Sequence, residues 1–545
     1  MKSRAEALRS IAGQSFDVCV IGGGATGSGC ALDSQLRGFK TVQVEAGDFA
    51  SGTSSTSTKM AHGGVRYLEE AIRGLDPREY AVLKRALHER IHMLRNAPFL
   101  TSTKEFLTPC FRRLDVAYFG IGLKLYDWIA GRDSLAPSVY LTRDETLRRM
   151  PVLAAERLVG SVAYTDGQFD DARYNITLLK TFAAAGGEAL NYARVMAFER
   201  SPEGKLTEVE LEDQLTHQRF SIQARAFVNA TGPYADTIRQ MATPGVAPRM
   251  RLSKGIHILL PLEVISSENA LLIPKTEDGR VLFAIPWQGR LLVGTTDDEA
   301  KLGDELCATK EEVAYVLRQL NKYLAQPVTP GEVVSGTAGL RPLVSAGKSG
   351  RTKSLARDHE VELDRASGLI SIMGGKWTTH RAMAEDTVNA AQQFLGDTRV
   401  KCSTLNHPLL GSDGYAPDYW QSLVKRFALG EPAARHLARK YGTRAPDVLA
   451  LTQNQPDLAQ SLVEGLAPMR AEVAFGARDE LAASIEDILA RRIGLQLYGW
   501  RDAIRAAPAV AEILARELGW PESAKRSAVT DYVAKIRGLM EKAGI

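Results

Sequence analysis

The chain has few cysteines. Cys19, Cys30, Cys110, Cys307 and Cys402 are scattered through 545 residues with no CxxC pair. An odd, dispersed set of this kind excludes a disulfide framework and a thiolate zinc or iron–sulfur site. Charge of one sign is also lacking. The 68 basic residues nearly balance 64 acidic ones, for a net +4, so the dense basic stripe of a nucleic-acid binder is missing. No run of about 18 apolar residues occurs, and no transmembrane span is expected. The segment Met1–Ser15 is polar and lacks the apolar centre of an export signal. A content of 45% hydrophobic and 24% charged residues is that of a globular protein, and the length calls for two or three domains.

The most informative pattern present lies near the start. Asp17–Ile21 and Thr41–Glu45 read as buried parallel strands, with Ala25–Arg37 as the helix between them. The first strand runs directly into Gly22-Gly-Gly24-Ala-Thr-Gly27, a GxGxxG turn. Glycines there permit a tight turn, and the helix N-terminus behind it presents free N–H groups to a pyrophosphate. Glu45, ending the second strand, is placed to accept hydrogen bonds from an adenosine ribose. Together these features predict a bound dinucleotide. Three later features favour a tightly held flavin over a nicotinamide. A Ser/Thr-rich stretch, Ser51–Lys59, follows the second strand in place of a regular continuation. A strand meander then leads to Asn229-Ala-Thr-Gly232, and a late strand returns at Ser371–Thr379. Gly374 and Gly375 would let backbone N–H groups approach a flavin ring.

Further along, Arg78–Asn96 and Asp171–Ala185 read as helices. Leu190–Glu199, Leu206–Glu212 and Phe220–Ala224 read as strands, and residues from about 250 to 343 alternate strand and turn as in an antiparallel sheet. Beyond Lys401, the segments Tyr419–Ala428, Ala433–Tyr441, Arg470–Leu497 and Ser523–Lys542 read as helices. The expected fold class is α/β with an α+β substrate domain. Residues 14–100, 166–245 and 350–400 would form a discontinuous nucleotide-binding domain, 101–165 and 246–349 a substrate domain, and 401–545 a helical C-terminal domain.

Longer motifs carry a family resemblance. Gly52-Thr-Ser-Ser-Thr-Ser-Thr-Lys-Met-Ala-His62-Gly-Gly-Val-Arg66-Tyr67 resembles the signature of FAD-dependent glycerol-3-phosphate dehydrogenases. So do Asn229-Ala-Thr-Gly-Pro233, Lys254-Gly-Ile-His257, Pro286-Trp287, Gly294-Thr-Thr-Asp297, Gly339-Leu-Arg341-Pro342, Arg357-Asp358 and Gly374-Gly-Lys376-Trp-Thr-Thr379, in the family's order. The resemblance implies a glutathione-reductase-like domain holding FAD non-covalently. It implies oxidation of sn-glycerol 3-phosphate to dihydroxyacetone phosphate, by hydride transfer from C2 to flavin N5. Electrons would pass to a quinone at the inner face of the cytoplasmic membrane, where the protein would lie peripherally. An oxidase branch passes them to oxygen and tends to carry an insertion before the C-terminal domain; none is evident here. The other alternative is a catalytically silent flavin-binding regulatory protein, against which the intact His62, Arg66, Arg341 and Lys376 speak. A homodimer is compatible with the resemblance.

The implied cofactor contacts are Gly22, Gly24, Thr26, Gly27, Glu45, Thr53, Ser54, Ser55, Lys59, Ala230, Thr231, Gly232, Gly375, Lys376 and Thr378. The implied substrate contacts are Arg66, Tyr67, Arg341, Arg357 and Lys376. Arginine suits a phosphate because its planar fork donates parallel, charge-assisted bonds. Removal of the C2 hydroxyl proton calls for a base, with His62 the first choice and His257 the second. Arg341 or Lys376 would stabilise the developing alkoxide. Two other patterns point elsewhere. His88-Glu-Arg-Ile-His92 matches HExxH, but a zinc site needs a third ligand, and no metal is expected. The aromatic, aliphatic and basic segment Tyr118–Arg132 suits either a membrane surface or internal packing.

Overall fold

The computed structural model describes residues 2–64, 77–345, 359–397 and 400–545. Its first sheet starts from the expected unit. Ser15–Ile21 pairs in parallel with Thr41–Val44 on one side and Arg219–Asn229 on the other. Ile370–Gly374 and then His359–Leu363 extend it past Arg219–Asn229, and Glu188–Leu190 closes the far edge. Ala193–Arg200 and Leu206–Asp213 form an antiparallel meander leading back into Arg219–Asn229. The helices Ala25–Leu36, Asp171–Ala184 and His380–Phe394 cover this sheet, burying Val18, Val20, Phe182, Ile370 and Val388 in one core. Full burial of each such side chain is worth about 1.5–3 kcal/mol.

The second sheet is built on Met250–Pro261, which pairs antiparallel with Ser335–Val344, Arg290–Gly294 and Asp298–Ala300. The order continues through Leu282–Trp287, Ala270–Ile273, Thr101–Cys110 and Gly160–Phe169 to the two-residue strand Met60–Ala61. Most neighbours are antiparallel, as the turn-rich sequence predicts, but Ala270–Ile273 lies parallel to Thr101–Cys110. By pairing, Met60–Ala61 belongs to this sheet although it directly follows the Ser/Thr-rich loop of the nucleotide unit.

Two expectations about individual elements are corrected. The strand expected over Leu190–Glu199 is two strands that break at Asn191-Tyr192, where Tyr192 takes a left-handed φ of +55°. The single helix expected over Arg470–Leu497 is a helix Arg470–Asp479, a bend at left-handed Leu481, a wide π-type turn Asp487–Arg492 and a short helix Leu495–Tyr498. A long helix follows at Trp500–Leu518, which sequence periodicity did not single out.

One continuous core joins the second sheet, through Ile256, Ile258 and Val293, to C-terminal residues such as Val473, Trp500 and Leu514. Against the nucleotide unit, the same C-terminal region is held by buried ion pairs. Arg173 donates to both oxygens of Glu480 at 2.8 and 3.0 Å, and Lys440 donates to Asp170 at 2.6 Å. Arg491 and Arg492 converge on Asp48 at 2.6–2.9 Å.

Candidate functional site

The strand ends of the first sheet and the face of Met250–Pro261 and Ser335–Val344 enclose a cavity of about 980 Å³. At its nucleotide end the turn is built for close approach. Gly22 has φ +115°, and a Cβ there would meet the Ala230 carbonyl oxygen at 2.5 Å. A Cβ on Gly27 would come within 2.0 Å of the Gly22 oxygen, so this glycine seats the helix on its own turn and does not line the wall. The helix Ala25–Leu36 begins at Gly24, which has no side chain to cap it, and Gly22, Gly24 and Thr26 border the cavity. Its open N-terminus favours an anion there. Glu45 borders the same space. Its carboxylate accepts from the Gly23 and Gly47 N–H groups at 2.6 and 2.8 Å, and burial pushes its pKa up. The donors, the glycines and the volume fit a dinucleotide with its pyrophosphate on the helix end.

The middle of the cavity is a meeting of three segments. Thr53, Ser54, Thr56, Ser57 and Thr58 come from the Ser/Thr-rich loop, Ala230, Thr231 and Gly232 from the first sheet, and Gly375, Lys376 and Thr378 from the late return. The Trp377 indole N–H donates to the Ser54 carbonyl at 2.9 Å, and Thr53 donates to the Leu340 carbonyl at 2.5 Å. A Cβ on Gly339 would strike Thr56 Oγ1 at 2.0 Å, so that glycine lets the loop dock on the second sheet. Lys59 and Ser55 do not border the cavity. Lys59 is buried below it, bonded to Asp171 and to the Ser55 carbonyl, with its ammonium 5.5 Å from the centre of the Trp287 ring. Lys59 thus braces the loop from beneath.

At the far end stand His62, His257, Arg341 and Lys376. Arg341 reaches back across the strand pair and donates to Thr295 Oγ1 at 2.7 Å and the Thr296 carbonyl at 2.9 Å, with Ser253 and Asp297 at 3.3 and 3.4 Å. Its guanidinium lies over Gly255, where a Cβ would be 2.1 Å from Nη2. His257 holds Thr58 Oγ1 at 3.0 Å, and Gly294 leaves room for its ring. Burial, with the charges of Arg341 and Lys59, pushes the His257 pKa down to about 3.

His62 is fixed by its backbone N–H donating to Thr378 at 3.2 Å, and its ring stands edge-on to Phe283. Burial lowers its pKa to about 4; Asp166 pulls it up, while Lys376 and Arg90 push it down. Behind it, buried Asp166 accepts from Arg90 at 2.7 Å and from the Tyr126 hydroxyl at 3.0 Å, and that hydroxyl accepts from the Gly63 N–H at 3.0 Å. Both histidines are neutral near pH 7, the form that can take a proton.

The structure therefore brings together His62, His257, Arg341 and Lys376 with most of the predicted cofactor contacts. Arg66, Tyr67 and Arg357 lie outside the described residues. Sequence reasoning missed the Arg90–Asp166–Tyr126 group and the Ser253 partner of Arg341. Thr295, Asp297 and Gly255 carried a signal, through Gly294-Thr-Thr-Asp297 and Lys254-Gly-Ile-His257, but no role could be read for them. The HExxH residues are otherwise engaged. Glu89 pairs with Arg381 at 2.6 and 2.8 Å, and His88 holds Asp133 at 3.0 Å. Among the described residues no group of three ligands suits a metal.

An open helix end, a three-segment cradle and a cationic pocket with neutral histidines define a flavin-dependent oxidoreductase, and comparison with known proteins agrees. The profile of the family described as FAD dependent oxidoreductase matches residues 17–389, and that of the C-terminal domain of alpha-glycerophosphate oxidase matches 402–525. The mitochondrial glycerol-3-phosphate dehydrogenase of Bos taurus is 39% identical over 521 residues, covering 94% of this chain and 71% of that protein. The probable mitochondrial glycerol-3-phosphate dehydrogenase of Dictyostelium discoideum is 40% identical, covering 97% and 85%. The crystal structure of the Bacillus halodurans glycerol-3-phosphate dehydrogenase complexed with FAD superposes with a TM-score of 0.81 at 30% identity, covering 100% of this chain and 99% of that one. The chain belongs to the FAD-dependent glycerol-3-phosphate dehydrogenase family, and its cofactor is FAD.

Proposed function

We propose that the protein oxidises sn-glycerol 3-phosphate to dihydroxyacetone phosphate and passes the electrons to a quinone in the membrane on which it rests. The observation that carries this reading is the far end of the cavity, where Arg341 and Lys376 face two uncharged histidines. FAD, when bound, supplies the acceptor for the hydride leaving C2. Gly22, Gly24, Thr26 and Glu45 would hold its adenosine and pyrophosphate, and the Thr53–Thr58 loop with Gly375 and Thr378 would cradle the ring end.

The chain's own residues do the rest. Arg341 grips the phosphate with a fork already aimed by Thr295 and the Thr296 carbonyl. Lys376 lies on the wall beside His62 and offsets charge growing on the C2 oxygen. His62 takes the hydroxyl proton. Asp166 behind it favours the imidazolium that forms, and the arriving substrate anion favours it further. His257 is bonded to Thr58 and so positions the Ser/Thr-rich loop on the side of the pocket where Arg341 stands.

Anaerobic addition of glycerol 3-phosphate to the yellow holoprotein tests the reading, with bleaching of the band near roughly 450 nm expected. A band that stays intact would overturn it. An oxygen-using oxidase would instead reoxidise rapidly in air with release of peroxide.

A further inference from the structure

We propose that His88 and His92 form an exchangeable site for a divalent transition-metal ion of the zinc class, held by two imidazoles and completed by water. The site lies outside the flavin cavity and is independent of which substrate that cavity takes.

The two residues stand four apart on the helix Pro77–Asn96, a spacing that puts their side chains on one face. Their rings converge, with the two Nε2 atoms 3.2 Å apart. Two zinc–nitrogen bonds of about 2.0–2.1 Å meeting at a tetrahedral angle span about 3.3–3.4 Å, so the pair already has the bite of a chelate. The His88 side chain is 48% exposed, which gives an ion a way in from solvent. His92 is buried and fixes the other arm.

The opposite ring nitrogens decide whether the lone pairs are available. His88 donates from Nδ1 to the Asp133 carboxylate at 3.0 Å, which leaves Nε2 of the neutral ring unprotonated. A carboxylate behind a ligating imidazole fixes its tautomer and raises its basicity. The Nδ1 of His92 is buried, and the Leu405 backbone favours a proton on that ring. With the proton on Nδ1, the second Nε2 also turns a lone pair to the ion. Burial, and then the neighbouring His88, lower the His92 pKa, so this ring is a neutral ligand near pH 7.

The surrounding contacts also say what the site is not. Glu89, the residue that serves as general base in an HExxH hydrolase, pairs with Arg381 at 2.6 and 2.8 Å. Among the described residues no third ligand joins the two histidines, so water fills the remaining positions and the ion exchanges with solvent. Imidazoles select zinc, nickel or copper over magnesium and calcium, which take oxygen. The place is not remote from the chemistry. Arg90 donates to the Asp133 carbonyl at 2.6 Å and to Asp166, behind His62, at 2.7 Å. Asp133 is thereby shared between the metal site and the support of the catalytic base.

The test uses FAD-loaded full-length protein without an affinity tag, stripped by a chelator and dialysed against zinc chloride. Wild type is expected to take up about one zinc ion per chain and to take up no magnesium offered at the same concentration. His88→Ala truncates an exposed side chain, and is expected to lose the zinc while retaining its flavin. His88→Cys supplies a thiolate in its place and is expected to keep the zinc. Asp133→Asn should bind about 10- to 100-fold more weakly. Because the ion binds the folded chain, zinc should raise the melting temperature of wild type and leave that of His88→Ala unchanged. Equal zinc uptake by wild type and His88→Ala would overturn the assignment, since the ion would then sit on other residues. So would a wild type that stays free of zinc at millimolar concentration, or one that takes magnesium as readily.

Discussion

Arg341 can lie where it does because position 255 carries no side chain. A methyl group there would sit 2.1 Å from the guanidinium, against a fixed strand backbone. Gly255→Ala should therefore act like a mild Arg341→Ala. The arginine deletion itself removes a charge-assisted partner worth about 1.5–3 kcal/mol and should raise KM about 10- to 100-fold. Steady-state kinetics of both variants check this, and an unchanged KM in Gly255→Ala would show that the arginine finds its target from another position.

His62→Gln makes a contrasting prediction. It keeps a polar side chain of similar reach but abolishes the proton acceptor, so flavin reduction in anaerobic stopped flow should slow by about 10²–10⁴-fold while substrate affinity changes little. Equal reduction rates would return His62 to a packing role.

His380 is the plainest residue for pH. It is buried between Tyr174 and Trp377, its Nδ1 lies 3.0 Å from the Trp377 carbonyl, and burial holds its pKa at about 3. The unfolded chain binds a proton near pH 6.5 and the folded one does not. Stability from this group is complete above pH 6.5 and is lost towards pH 3, by about 1.4 kcal/mol per pH unit. Glu45 and Asp171, pushed up by burial, oppose that slope, so the difference between proteins is the clean measure. Denaturant midpoints from pH 7 to 5 should fall less steeply in His380→Phe than in wild type. Parallel curves would mean that the imidazole is charged in the folded protein.

Between elements, the wide turn Asp487–Arg492 explains how two successive arginines reach one carboxylate. Side chains of neighbouring residues on an α-helix diverge by about 100°, and the extra residue per turn redirects them. Their target, Asp48, follows Glu45 by three positions, so the C-terminal helices grip the loop that borders the GxGxxG end of the cavity. Breaking a buried pair leaves an uncompensated charge and costs about 3–5 kcal/mol. Arg492→Ala should lower the melting temperature and release FAD more readily, read by fluorescence of the freed flavin. A variant that melts lower yet retains FAD as wild type does would confine the clamp to stability. This interruption was partly readable. Ser484 and Asp487 cap one another, Ser484 Oγ accepting the Asp487 N–H and the Asp487 carboxylate accepting the Ser484 N–H, which is a helix-start signal inside the stretch Arg470–Leu497.

At the scale of the molecule, the parts legible in advance were those written in consecutive residues. The strand–glycine–helix unit at 17–45 and the return at 370–379 depend on neighbours a few positions apart, so pattern and turn chemistry reveal them. Arg341 and His62 were legible through their motif surroundings. What stayed hidden depends on partners far along the chain. Asp166 beneath His62 and Asp48 beneath Arg491 read as ordinary surface acids until the fold buries them. The parallel pairing of Ala270–Ile273 with Thr101–Cys110 has no local trace either, because nothing within four residues records which strand lies alongside.

The two-residue strand Met60–Ala61 has a practical consequence. The same short stretch of chain lines the middle of the cavity and then edges the sheet that carries Arg341, with His62 at the very next position. A chimaera that exchanged the second sheet for another while leaving residues 53–62 behind would inherit a mismatched seam. Any graft that aims to retain turnover has to carry that decapeptide across with the donor sheet.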